Sequence, residues 1–198
     1  MSRRLTFFAG ALRSIRIDRR FILCVVLLVS TTASFLIGPS VGRVTRTVLM
    51  AIELAWIPGD GPLTVLTPAP TRFENKLYAA DREFSVDIYT SGGIRKDAGI
   101  VLVNGIEPAG RRYAPLVELA QVLARTGMTV AVPELRSYSE YSLGPHDVSR
   151  LIRTYEFLLK NTRVTPERSG FLGFSAGGSL AFIAATDPLI AGSVGVVA

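Results

Sequence analysis

Gly170-Phe171-Leu172-Gly173-Phe174-Ser175-Ala176-Gly177-Gly178, running on into Ser179-Leu180-Ala181-Phe182-Ile183-Ala184-Ala185, decides the fold. An apolar run leads into Gly-x-Ser-x-Gly and a stretch of helix formers leaves it. Strand, tight turn and helix in that order hold a serine exposed at the carboxyl edge of a sheet, where its hydroxyl can act as a nucleophile. Gly173 and Gly177 flank Ser175 because so tight a turn crowds the backbone. A helix opening at Ala176 aims free N–H groups and its positive dipole end at any oxyanion formed beside the serine.

Outward from this turn, apolar runs and helical patterns alternate. Glu74 to Tyr89 reads as two strands about a turn at Ala80-Asp81-Arg82, with Phe84 to Tyr89 alternating at period two. Gly99-Ile-Val-Leu-Val103 and Met128-Thr-Val-Ala-Val132 are continuous apolar runs of the kind buried on both faces of a parallel sheet. Tyr113 to Thr126 has helical spacing closed by Gly127, and His146 to Asn161 places Val148, Leu151, Ile152, Tyr155, Leu158 and Leu159 on one face. Ser169–Phe174 is a strand, residues 176–186 a helix, residues 192–198 a last strand, and Glu134 to Pro145 a polar loop. The expected fold is α/β, a doubly wound, mostly parallel sheet with helices on both faces.

With these motifs in their order, residues 74–198 resemble the first two-thirds of an α/β-hydrolase, more loosely its dienelactone-hydrolase-type and esterase-type branches. Val101-Leu-Val-Asn104-Gly105-Ile106 resembles the family's strand ending in His-Gly-x, with Asn for His. Pro133-Glu134-Leu135-Arg136-Ser137-Tyr138-Ser139 resembles its Asp-x-Arg-Gly-x-Gly loop, with Glu for Asp and Ser for Gly. The resemblance implies Ser175 as nucleophile, with the backbone N–H groups of Ile106 and Ala176 as the oxyanion hole. Dienelactone hydrolases proper carry cysteine at the nucleophile, so Ser175 points to the esterase-like branch. The family's acid and base follow the nucleophile, in strands beyond the one at 192–198. The chain is therefore expected to be C-terminally incomplete and to lack both.

His146, the only histidine, precedes Ser175 and opens a helix beside Asp147. It is read as a helix-start residue, not as the base. Arg136 is read as a structural loop residue and Glu107 as a solvated loop carboxylate.

The N-terminus carries a different signal. No charged residue occurs from Phe21 to Gly42, and a helix over 21–42 would reach about 33 Å, enough to cross the hydrocarbon core. Residues 1–20 hold six arginines against Asp18, a net of +5 within the whole chain's +6. They form a basic tail that orients such a span with the following domain outside the cytoplasm. Run length favours a retained anchor at 21–42 over a cleaved signal peptide, which would leave the domain secreted. Residues 43–70 make a juxtamembrane segment and linker, broken by Pro58-Gly-Asp-Gly-Pro62 and Pro68-Ala-Pro70, with a domain boundary near 70 and the hydrolase-like domain at 71–198. Within the linker, Thr47 to Ile57 is apolar and too short to span. It fits an interfacial helix, packing against the domain, or a continuation of the anchor.

Because the basic charge is confined to the tail, no nucleic-acid-binding face is expected. Single Cys24 and single His146 exclude a disulfide within the chain and a multi-histidine metal site. No Gly-x-Gly-x-x-Gly loop occurs, so no metal or cofactor is expected. Nothing in the sequence speaks to oligomeric state. Three functions fit: a membrane-anchored serine hydrolase acting on an ester, thioester or peptide; a non-catalytic hydrolase-like binding module; and an acyltransferase on the same fold. The hydrolase and the acyltransferase imply a small acyl substrate, and the module an acyl ligand or a partner chain.

Overall fold

A computed structural model describes residues 40–55, 61–92 and 98–198. The apolar segment expected as an anchor at 21–42 lies outside the described residues except for 40–42. These are helical, in α1 (Ser40–Ala55). Among the described residues no helix is long and apolar enough to cross a membrane. The chain forms two compact units, Met1–Val48 and Leu49–Ala198. The sheet, its helices and the candidate site all belong to the second.

The described part of the apolar stretch starting at Thr47 continues the helix that opens at Ser40, and it also packs. Leu49 and Glu53 are buried, and Met50 packs on a core cluster. Glu53 receives the backbone N–H of Leu63 at 2.6 Å and of Thr64 at 3.1 Å, together with the Thr64 hydroxyl. It thereby satisfies the open end of the short helix α2 (Pro62–Leu66), whose own Gly61 offers no side-chain cap. Residues 61–70 accordingly lie against the compact unit, tied down further by Arg125 Nη1 on the Thr67 carbonyl at 2.8 Å.

Strands β1 (Thr71–Ala79), β2 (Arg82–Thr90), β3 (Gly99–Val103), β4 (Thr129–Pro133), β5 (Ser169–Gly173) and β6 (Val196–Val197) form one sheet in the order β1-β2-β4-β3-β5-β6. β1 and β2 are a hairpin whose turn residues, Ala80 (φ 49°) and Asp81 (φ 59°), both adopt the left-handed conformation that a tight two-residue hairpin demands. β2 also runs antiparallel to β4, while β4, β3, β5 and β6 are mutually parallel. The sheet is thus mixed, with the expected parallel part running from β4 to the edge strand β6.

Right-handed crossovers dictate where the helices go. From β3 the chain steps through α3 (Ala114–Arg125) to β4 on one side. From β4 it returns through α5 (Asp147–Asn161), past β3, to β5, and α6 (Ala176–Ala185) continues that way to β6. The reversal puts α3 on one face and α5 and α6 on the other. Leu116, Ala120 and Leu123 of α3 meet Tyr89, Leu102, Val130 and Val132. Leu151, Tyr155 and Leu158 of α5, with Leu180 and Ala184 of α6, meet Phe84, Val86, Val101 and Phe171. Tyr155 stacks on Phe171 at 5.1 Å between ring centres.

Two expectations need correction. The last strand is shorter than 192–198, because Ala191–Ser193 forms a 3-10 turn. The Ser193 carbonyl at the end of that turn accepts the buried Tyr155 hydroxyl, which also bonds Ser169 Oγ at 2.7 Å. The polar loop 134–145 contains a helical turn, α4 (Arg136–Ser139), which buries Tyr138 in the core.

Candidate active site

Adjacent parallel strands whose connections leave to opposite faces open a crevice at their carboxyl ends. β3 and β5 are such a pair: β3 continues to α3, β5 to α6. Their register sets Val103 opposite Gly173. Asn104-Gly105-Ile106 and Phe174-Ser175-Ala176 therefore leave the sheet side by side, and the Phe174 N–H bonds the Val103 carbonyl at 3.0 Å.

Ser175 sits at the hinge between strand and helix with φ 52° and ψ −124°, a conformation a residue with a side chain rarely adopts. Its side chain is exposed. The flanking glycines are required by contact. A Cβ on Gly177 would lie 2.1 Å from the Asn104 carbonyl oxygen, and one on Gly173 would lie 2.6 Å from backbone atoms of Gly177 and Gly178. A Cβ on Gly105 would be 3.5 Å from Ser175 Cβ, which measures how closely the β3 loop approaches the serine. Among the described residues, the N–H groups of Ile106 and Ala176 are engaged in no turn, loop or cap hydrogen bond. Ile106 is partly exposed, and Ala176 opens the ten-residue helix α6. The predicted nucleophile, elbow glycines and oxyanion donors are thus brought to one crevice.

His146 stands at the start of α5 and borders a cavity of about 760 Å³ whose lining does not include Ser175. Its neighbour Asp147 is buried and accepts the Ser137 hydroxyl and, at 2.6 Å, the Gly144 N–H. Arg136 reaches Glu134 only at 3.9 Å and is largely solvent-exposed. Glu107 accepts the Ala109 N–H at 3.3 Å and shapes its own turn. Among the described residues no cluster of three or more His, Cys, Asp or Glu is arranged to hold a metal.

Sequence reading missed the anchor of the β3 loop. Asp87, fully buried on β2, receives Arg72 Nη2 at 2.9 Å and Arg111 Nη1, while Arg111 Nη2 reaches Glu74 at 3.0 Å. Burial would lower the Arg111 pKa, but the bonds to Asp87 and Glu74 outweigh it and raise it. Arg111 lies in the turn Gly110–Arg112 at the end of the loop. The signal was present in the alternation of β2: an acid between Val86 and Ile88 must face away from them, into the second layer, and needs a partner there. Asn104, next to the crevice, is buried with its Nδ2 unpartnered.

Neither a protein-family model nor a curated protein matches this chain. Solved structures do. The esterase Est22 aligns at 15% identity over 85% of this chain and 52% of its own, with a TM-score of 0.55. Brefeldin A esterase, a bacterial homologue of human hormone sensitive lipase, aligns at 13% identity over 75% and 46%, with a TM-score of 0.55. A dienelactone hydrolase from Anabaena variabilis aligns at 18% identity over 64% and 61%, with a TM-score of 0.50. The chain spans about half the length of the esterase structures it matches. At these identities the likeness establishes the fold, that of the α/β-hydrolases.

Proposed function

We propose that the chain is the nucleophile-bearing part of a serine hydrolase that attacks the carbonyl of a small ester, thioester or peptide. The observation that carries this reading is the backbone of Ser175. A serine is held at φ 52°, ψ −124° on a strand–helix hinge, against glycines that admit no side chain and beside two free backbone N–H groups. Such strain is kept where it serves a site. In the proposed reaction Ser175 Oγ adds to the carbonyl carbon, and the carbonyl oxygen becomes the oxyanion received by the Ile106 and Ala176 N–H groups. The proton of Oγ must pass to a base, and we propose that acid and base come from outside residues 1–198. The apolar segment 21–42 is proposed to anchor the protein with its basic tail cytoplasmic and the hydrolase-like unit on the other side.

The test uses the purified 198-residue protein and a p-nitrophenyl ester. Serine hydrolases stripped of triad members retain only about 10³–10⁴-fold catalysis over water. The expected result is therefore negligible turnover, while a longer in-frame product from the genomic DNA, with an Asp and a His in later strands, turns over and loses this with Ser175→Ala. Brisk turnover by the 198-residue chain itself, abolished by Ser175→Ala, would refute the need for an external base. That the cavity bordered by His146 does not include Ser175 in its lining favours a second reading, a binding module. An intact gene that stops after codon 198 would support it.

A further inference from the structure

The cavity that His146 borders lies where the end of the β1–β2 hairpin, the β4–α5 loop and the first turn of α5 meet, and it is lined by Arg82, Arg136 and Arg150 among others. Arg150 is the informative residue. Its side chain is only 7% exposed, yet its guanidinium is poorly engaged. Nη1 is 3.5 Å from the Glu134 carbonyl and 3.8 Å from Asp147 Oδ1, Nε has no partner, and the group lies 5.7 Å over the Phe84 ring. A buried guanidinium ordinarily has its charge paired and its donors satisfied. Arg150 meets neither condition in full.

The cavity also holds carboxylates, and their engagements decide its character. Asp147 Oδ2 accepts from the Ser137 hydroxyl and from the Gly144 N–H. Glu83 is taken by the Tyr78 hydroxyl at 3.0 Å and Lys76 at 3.3 Å. Asp147 Oδ1 keeps its 3.8 Å contact with Arg150, so among the described lining residues three guanidinium groups, of Arg82, Arg136 and Arg150, face two remaining carboxylates, Asp147 and the exposed Glu140. Ser137 and Ser142 add hydroxyls to the same lining. We infer that this cavity binds a small molecule through an oxyanion group, a carboxylate or a phosphate, received by Arg150 and steered by Arg82 and Arg136. Guanidinium presents a planar fork of donors that matches either anion. The site involves no step at Ser175 and stands whether or not the chain is a hydrolase.

The experiment is calorimetric titration of the full chain with succinate and, separately, inorganic phosphate, each at constant ionic strength made up with sodium chloride. Saturable binding of either probe with Kd on the order of 1 mM is expected; which one binds identifies the anion. Arg82→Gln/Arg136→Gln, at two exposed positions, should weaken that binding about tenfold, the effect of losing charge-assisted contacts. Arg150→Met should abolish it. If Arg150→Met does not fold, the exposed double variant decides. No saturable binding of either probe, or unchanged binding in the double variant or in folded Arg150→Met, would overturn the assignment.

Discussion

The buried Asp87 carboxylate of β2 receives the Arg111 guanidinium from the turn that ends the Asn104–Ile106 loop, and so ties that loop to a strand two places away in the sheet. The position of the Ile106 N–H over the crevice thus depends on an ion pair between residues that never approach Ser175 in the chain. Removing one member of a buried pair strands the other's charge and costs about 3 kcal/mol. Asp87→Ala should lower stability by that amount in urea unfolding. Arg112→Ala should stay within about 0.5 kcal/mol, since Arg112 is half exposed and 3.8 Å from Asp87. Equal effects of the two would show that Asp87 is not the anchor.

The serine hinge stores strain. Glycine adopts positive φ without the clash that burdens a side chain, so Ser175→Gly should raise stability by about 1 kcal/mol while removing the nucleophile. The increase in Tm checks it, and a loss of stability would contradict the strained geometry. Gly177→Ala should do the opposite. Its Cβ would press on the Asn104 and Val103 carbonyls, at a cost of about 2 kcal/mol. Gly192→Ala, with open space around it, is the neutral control.

Tyr138 offers a readout at alkaline pH. Burial, and secondarily the charge of Asp147, push its hydroxyl from 10 up to about 12. The folded state then holds its proton more tightly than the unfolded state. This contribution is fully present below pH 10 and is lost as pH rises towards 12, where the unfolded chain has ionised and the folded one has not. Burial raises Tyr89 and Tyr155 in the same direction. Tyr138→Phe should leave stability at pH 7 within about 1 kcal/mol, because the hydroxyl has no partner to lose. It should also flatten the fall in Tm between pH 10 and 12. An unchanged alkaline slope would show that Tyr138 is not responsible.

Glu53 tests how firmly the segment before β1 belongs to the compact unit. Glu53→Ala would orphan the Leu63 and Thr64 N–H groups, at about 2 kcal/mol. It should also expose the 61–70 segment to limited proteolysis ahead of the sheet. Cleavage there at the wild-type rate would mean that Glu53 does not hold it.

Local pattern alone was enough for the hinge at Ser175, the alternation of strands and helices, and the choice of β3 and β4 as buried strands. Each comes from a period or a turn residue within a few positions. The same information fell short at β6, where a 3-10 turn tied to Tyr155 through the Ser193 carbonyl replaces the start of the strand, and at α4, where a polar stretch buries Tyr138. Both outcomes depend on partners distant in sequence. Only the tertiary structure could set Asn104–Ile106 against Ser175. That contact arises because β3 and β5 pair directly although β4 and α5 intervene in the chain, and because their connections diverge to opposite faces. It likewise decided that Asp87 meets Arg111, that Arg150 is buried with its Nε unpartnered, and that His146 borders a cavity whose lining does not include Ser175. Hydrophobic periodicity says which side chains go inside, but not which charges they carry in with them or which of those charges then meet.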